Sequence, residues 1–187
     1  MNNPLDVAAI VGSLRRESFT RKLVEALTKL ALPSVRIEIV PIGDLPFYNQ
    51  DDEPTPPAAW TAFRSRIKRA DGVLFATPEY NRSMPGCLKN AVDVGSRPWG
   101  HSVWAGRPAA VISCSPGNLG AFGAHHHLRQ SLVGVDMATM AGPEAYMAGA
   151  DKLFDAAGEF NNPATRDFCT KFIRTFESWI RRNAAAA

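Results

Sequence analysis

The sequence predicts an α/β protein: a doubly wound, five-stranded parallel sheet in the order 2-1-3-4-5, with helices on both faces. Strand-like runs alternate with segments of helical period along the whole chain, the pattern that forces crossover connections and a parallel sheet. Three of the runs, Val7 to Val11, Val73 to Ala76 and Ala109 to Ile112, are apolar throughout, as strands covered on both faces must be. A fourth, Val35-Arg36-Ile37-Glu38-Ile39-Val40, alternates apolar and polar residues. One of its faces therefore meets water and it belongs at a sheet edge, which favours the order 2-1-3-4-5 over the longer dinucleotide-binding order.

The elements follow in chain order. After Val7 to Val11, the stripe Phe19, Leu23, Leu27 and Leu30 is spaced as one face of a helix, which Pro33 ends. The edge strand comes next. Residues 41 to 57 hold five prolines and the acidic Asp51-Asp52-Glu53 and read as a loop. Trp60, Phe63 and Ile67 mark the next helix, with Arg64, Arg66, Lys68 and Arg69 as its wet face. A central strand, Val73 to Ala76, is followed by a short helix from Leu88 to about Val94, then by the strand Ala109 to Ile112. A helix around Leu128 and Leu132 leads to a last strand, Met137 to Met140. The terminal helix carries Phe168, Phe172, Ile173, Phe176, Trp179 and Ile180 as a wide apolar stripe, and alanines close the chain.

At 187 residues the chain suits one well-buried core, and a single domain over residues 1–187 is expected. No run reaches the roughly 18 to 20 apolar residues of a membrane span, and the opening Met1-Asn2-Asn3-Pro4 lacks the basic start and apolar stretch of a signal peptide. Cytoplasmic location is the expectation. Cys87, Cys114 and Cys169 are far apart and form no CxxC, so neither a disulfide framework nor a zinc ribbon is signalled, and free thiols are expected. The net charge is +3, with basic and acidic residues mixed along the chain. That excludes the clustered footprint of a nucleic-acid binder.

In such a sheet, ligands sit beyond the carboxyl ends of the strands where the order reverses, here between the first and third strands. Three loops meet there. The first, GSLRRESFT from Gly12 to Thr20, has one glycine, not the G-x-G-x-x-G of a dinucleotide site, and no triphosphate loop exists in the chain. It offers a helix N-terminus with free backbone N–H groups. Ser13, Ser18 and Thr20 are neutral donors beside it, and Arg15 is a fork for phosphate oxygens. The pattern suits a single terminal phosphate, although Ser13 and Ser18 could equally be helix caps. The second loop, Thr77 to Pro85, is stiffened by Pro78 and Pro85 and can present backbone groups to the edge of a flat heterocycle, with Asn81 and Ser83 able to fasten it.

PEYNRSMPGCLKNAVDVGSRP (residues 78–98), together with GSLRRESFTRKL (12–23) and DLPFYNQD (44–51), resembles the NADPH-dependent FMN reductases, the flavodoxin-like branch that includes soluble quinone and chromate reductases. The resemblance runs from Val7 to Ile180. It implies that the anion is the phosphate of FMN, held by Ser13, Leu14, Arg15, Ser18, Phe19 and Thr20. Pro78, Glu79, Tyr80 and Asn81 would line the ribityl chain and the ring. The third loop, Ser113 to Gly120, would pass the ring edge with Ser115 and Gly117. No catalytic side chain is implied, because the chemistry resides on FMN.

The activity implied is two-electron transfer from NADPH or NADH, through bound FMN, to quinones and by extension chromate, ferric or azo acceptors, in a ping-pong cycle. The acceptor range would be broad, with Arg82, Arg97 and Arg107 near the mouth of the cleft. A homodimer or homotetramer would complete the site, with Tyr80, Met84, Trp99 and Trp104 as contact candidates. The competing readings are a flavodoxin-like electron carrier without pyridine-nucleotide turnover and a scaffold that has kept the fold and lost FMN. Flavodoxins are strongly acidic, which a chain at +3 is not.

There is one departure from the family pattern. Where relatives often carry G-G-x-R, an aromatic residue and H-L-R-Q, this chain has Gly123 at the arginine position and His126 at the aromatic one. On a helix His125, His126 and His127 point in three directions, and no cysteine or carboxylate joins them at ligand spacing, so no metal is expected.

Overall fold

A computed structural model describes residues 3–31 and 33–184; Met1, Asn2, Leu32 and the closing Ala185 to Ala187 lie outside the described residues. The elements are β1 (Leu5–Val11), α1 (Phe19–Leu30), β2 (Val35–Ile39), α2 (Ala58–Arg69), β3 (Gly72–Thr77), α3 (Gly86–Ser96), β4 (Pro108–Cys114), α4 (Phe122–Gly134), β5 (Ala138–Thr139), β6 (Ala145–Met147) and α5 (Pro163–Ala184). The strands form one parallel sheet in the expected order β2-β1-β3-β4-β5, with β6 also paired to β4.

The side-chain period of two divides the core into two layers. Val7, Ala9 and Val11 of β1, Leu74 and Ala76 of β3, and Ala110 and Ile112 of β4 face α1 and α5. Ala8 and Ile10, Val73 and Phe75, and Ala109 and Val111 face α2, α3 and α4. Every one of these strand residues is buried, which is why the three runs read as apolar throughout. In β2 only Val35 and Ile37 are buried while Arg36 and Glu38 are exposed, the signature of the edge.

The last strand differs from expectation. Met137 to Met140 gives only the two-residue β5, and the sheet edge continues as β6 after an interruption at Gly142-Pro143. Proline has no N–H to give a ladder, so a strand broken there restarts beyond it. The helices after the second and third loops also begin earlier than their apolar stripes suggest, α3 at Gly86 and α4 at Phe122.

The wet face of α2 is less idle than expected. Arg64 donates to the carbonyl oxygens of Val94 and Gly95 near the end of α3 and to that of His101. Arg66 pairs with Asp6 and Glu38. Cys87, Cys114 and Cys169 are free.

Candidate functional site

The carboxyl ends of β1, β3 and β4 open into the three loops. Ser18 ends the first loop as the N-cap of α1, in extended conformation, its Oγ accepting the N–H of Arg21 at 3.1 Å. The amides of Phe19 and Thr20, nearer the helix start, have no acceptor among the described residues. Thr20 turns its hydroxyl inward to the sulfur of buried Cys114, at 3.4 Å. The hydroxyls of Ser18 and Thr20 are thus already engaged, and what the loop offers an anion is mainly backbone N–H, Ser13 and Arg15. Arg15 lies over the ring of Phe19 and pairs with no carboxylate among the described residues.

The second loop closes on itself. Tyr80 and Ser83 exchange two backbone hydrogen bonds of 2.9 and 3.0 Å around Asn81 and Arg82, both at positive φ. Two positive-φ residues between paired positions make a mirror-image tight turn of type I′. The expectation that Asn81 and Ser83 fasten this loop is met differently: the turn's own backbone closes it, and Ser83 Oγ bonds Nδ1 of His127 at 2.7 Å. Glu79 is the second anchor. Its Oε2 accepts the N–H of Ala124 at 3.1 Å and its Oε1 the guanidinium of Arg82 at 3.2 Å. α4 has no cap of its own, because the N-cap position is Ala121 at φ 64, and Glu79 supplies it across 45 residues of sequence. A Cβ on Gly123 would stand 3.0 Å from Glu79 Oε2, so glycine at this position lets the joint close.

The third loop is pinned to β6. Ser115 N–H donates to Met147 O, and buried Ser113 donates through Oγ to Gly120 O at 2.7 Å. Gly120 has φ 56, and a Cβ there would be 2.6 Å from the backbone of Tyr146. Ser115 and Gly117 form the tip, tied by a 3.3 Å hydrogen bond, with Leu119 exposed behind them.

The three histidines do diverge. His126 shares a hydrogen bond of 2.8 Å with Tyr146 Oη, and His127 reaches Ser83. His125 is fully buried with both ring nitrogens unpartnered among the described residues, its ring edge-on to Tyr146. Burial, helped by the charges of Arg129 and His126, pushes the His125 pKa down to about 3. Burial and the neighbouring Glu144 push Tyr146 up to about 12. Among the described residues no cluster of His, Cys, Asp and Glu is arranged to hold a metal.

Three expectations are corrected. Met84 and Trp104 do not offer themselves for subunit contact: Met84 is 6 % exposed and Trp104 0 %, and the indole donates to Val92 O at 2.8 Å. The apolar layer on that side of the sheet needs both. Arg107 does not border the cleft. It immediately precedes β4, at the amino end of the sheet, and donates to the carbonyls of Ala70, Val103 and Lys68. Arg97 is held against Glu53 at 2.8 Å and over the ring of Tyr48. Tyr80, Leu119 and Phe122 remain exposed around the loops.

FMN fits this arrangement. A terminal phosphate would meet the open amides of α1, Arg15 and Ser13, and a flat ring would meet two rigid walls, the closed turn at 80–83 and the tip at 115–117. The family described as NADPH-dependent FMN reductase matches residues 5–152. A quinone reductase of Pseudomonas putida is 55 % identical over 186 residues, covering 99 % of this chain and all of the relative. A 2-hydroxy-1,4-benzoquinone reductase of a Burkholderia species is 44 % identical over 177 residues, 95 % of this chain and 97 % of the relative. Among solved structures, FerB of Paracoccus denitrificans, a flavoenzyme NAD(P)H:(acceptor) oxidoreductase, superposes with a TM-score of 0.90 at 41 % identity, covering 95 % of this chain and 97 % of FerB.

Proposed function

The chain belongs to the NADPH-dependent FMN reductase family, and from that premise we propose how its residues carry out FMN-dependent oxidation of NAD(P)H with quinones as acceptors. FMN supplies the two-electron redox centre, and the protein supplies binding, orientation and exclusion. Ser13, Leu14, Arg15 and the amides of Ser18, Phe19 and Thr20 hold the phosphate. Pro78, Tyr80 and Asn81 line one side of the ribityl chain and ring, with Glu79 positioning them by fastening the loop to α4. Ser115 and Gly117 line the other side. The observation that carries this reading is the meeting of an α1 N-terminus with open amides, an unpaired Arg15 and two rigid loop walls at one edge of the sheet.

NAD(P)H and the acceptor use one opening in turn, a ping-pong cycle. Buried polar groups that a wrong acceptor would leave unpaired are what confer selectivity; at this opening Tyr80, Leu119 and Phe122 are neutral and Glu79 and Arg82 pair with each other, so chromate, ferric and azo acceptors fall within range. Initial rates over a grid of NADPH and quinone concentrations give parallel double-reciprocal lines on this mechanism. Intersecting lines require both substrates bound at once and overturn it.

Around the opening, exposed Tyr80, Leu119 and Phe122 are apolar surface that a second copy would cover, and a homodimer or homotetramer is the assembly proposed. Light scattering that finds only monomer at micromolar concentration refutes it. Free cysteines fit a reducing compartment and support the cytoplasm as its location. Among the described residues no helix is long and apolar enough to cross a membrane.

A further inference from the structure

A second concavity, of about 420 Å³, lies on the β2 side of the first loop. Its walls are Ser13, Arg15, Arg16 and Arg21 from the loop and α1, and Gly43 and Asp44 from the segment after β2, with the ends of β1 and β2 as its floor. That volume is in the range of small-molecule sites, roughly 300 to 1,000 Å³.

Three guanidinium groups face one carboxylate in this lining. None of the three is ion-paired among the described residues, and none has closed on Asp44. Several cations elsewhere on the surface are held by carboxylates: Lys22 by Glu17, Arg66 by Asp6 and Glu38, Arg97 by Glu53. Like charges gathered in a concavity repel one another and draw in a counter-ion, and the positive end of α1 adds to the same field. One phosphate, that of FMN, accounts for Arg15 and the helix amides. Arg16 and Arg21 are left over.

We propose that Arg16 and Arg21 bind the 2′-phosphate of NADPH and make this phosphorylated cofactor the preferred reductant over NADH. The inference rests on the reading of the chain as an NAD(P)H oxidoreductase. Guanidinium forks match phosphate oxygens two at a time and have no comparable grip on the neutral hydroxyl that NADH carries there. The position suits the task as well. In dinucleotide-binding doubly wound folds the region after the second strand tells a ribose 2′-hydroxyl from a 2′-phosphate, using an acid for one and arginine for the other, and the same chemistry is available at the equivalent place here. Here β2 ends at Ile39, the one acid of the lining is Asp44, and three arginines stand opposite it. From β2 to β4 the sheet order spans three strand spacings, about 14 Å, within reach of an extended dinucleotide whose nicotinamide lies at the third loop.

The experiment compares the FMN-loaded protein with the double variant Arg16→Ala/Arg21→Ala, and with Arg16→Lys/Arg21→Lys, which keeps the charge. Expected is a rise in KM for NADPH of roughly ten- to a hundredfold, the range of one charged hydrogen bond, with kcat and the KM for NADH unmoved and partial recovery in the lysine variant. Calorimetry with adenosine 2′-phosphate, which needs no turnover, should show binding to the wild type and none to the alanine variant, while adenosine 5′-phosphate binds neither measurably better. Equal rises in KM for NADPH and NADH would assign the arginines to the diphosphate and overturn the proposal. Loss of FMN from the alanine variant would assign them to the flavin phosphate, and unchanged kinetics and binding would leave them solvated; either result overturns it. A wild type that binds adenosine 2′-phosphate at these arginines but does not oxidise NADPH would break the proposed function and leave this site standing.

Discussion

Two helix N-termini, those of α1 and α4, meet at the same edge of the sheet, and their third residues, Arg21 and Ala124, each donate a backbone N–H to a side-chain oxygen at 3.1 Å. In α1 the acceptor is the hydroxyl of Ser18, a neutral cap one turn away. In α4 it is the carboxylate of Glu79, an anion brought from another loop. A hydroxyl satisfies one amide and leaves the positive end of the helix uncompensated, open to a ligand anion. A carboxylate satisfies the amide and fills the charge as well. The same element is therefore the proposed phosphate site at α1 and a structural joint at α4, and the difference lies in whether the chain supplies its own anion.

The comparison can be broken by giving α1 what α4 has. Ser18→Asp keeps a good cap and puts a carboxylate where the flavin phosphate is proposed to lie. Two unit charges about 4 Å apart near a protein surface repel by about 4 kcal/mol, so FMN affinity should fall by a factor of several hundred or more while thermal stability holds or rises. Retained FMN affinity in a fluorescence titration would move the phosphate away from α1. Removing the attraction is the milder test. Arg15→Ala with Ser18→Ala should weaken FMN by about 2 to 4 kcal/mol, and, because Ser18 caps α1, should also reduce stability by about 1 kcal/mol. Arg15→Ala alone separates the two effects: it should weaken FMN binding and leave the melting temperature of the flavin-free protein unchanged.

At α4 the prediction inverts. Glu79→Ala removes a charge-assisted hydrogen bond and its interaction with the helix end, worth about 2 to 3 kcal/mol together. Denaturant melts should show that loss in the protein without flavin. If stability is unchanged, Glu79 is not the cap that holds α4 to the second loop.

The sequence made some of this legible and not the rest. The strand–loop–helix unit that carries the proposed α1 site could be read because it is contiguous from Val7 to Leu30, and because Ser18 caps its own helix. The three apolar strands and the alternating edge strand could be read because each reports its own burial. The α4 joint could not, since Glu79 and Ala124 are brought together by the fold, and a Glu in a loop carries no local mark of a distant amide. Gly123, whose missing Cβ leaves room for Glu79 Oε2, is the one local trace of it. Trp104 and Met84 looked like contact residues because aromatic and sulfur side chains suit interfaces and cores equally, and only the packing against Phe63 and Phe75 decides between the two. Arg107 was misplaced for want of the strand register, which puts Pro108 at the amino end of β4.

Acid should separate the two helix ends by about 2 kcal/mol. His125 lies one residue beyond the capped amide of Ala124, fully buried against Tyr146 and near Arg129 and His126, with its pKa pushed down to about 3. In the unfolded chain the same imidazole titrates near 6.5. Between these values the unfolded state holds a proton that the folded state refuses, so protons favour unfolding, and the stability present above about pH 6.5 drains away as pH falls toward 3. From pH 7 to pH 5 the loss amounts to about 2 kcal/mol. The first turn of α1, Phe19 to Lys22, contains no buried titratable group, so its end carries no such sensitivity. Urea melts at pH 7 and pH 5, on the wild type and on His125→Gln, measure the effect as the difference of differences, since other groups titrate alike in both. The wild type should lose about 2 kcal/mol more than the variant over this range. Equal losses would mean that His125 is protonated in the folded protein, and that the α4 end accepts charge as readily as the α1 end does.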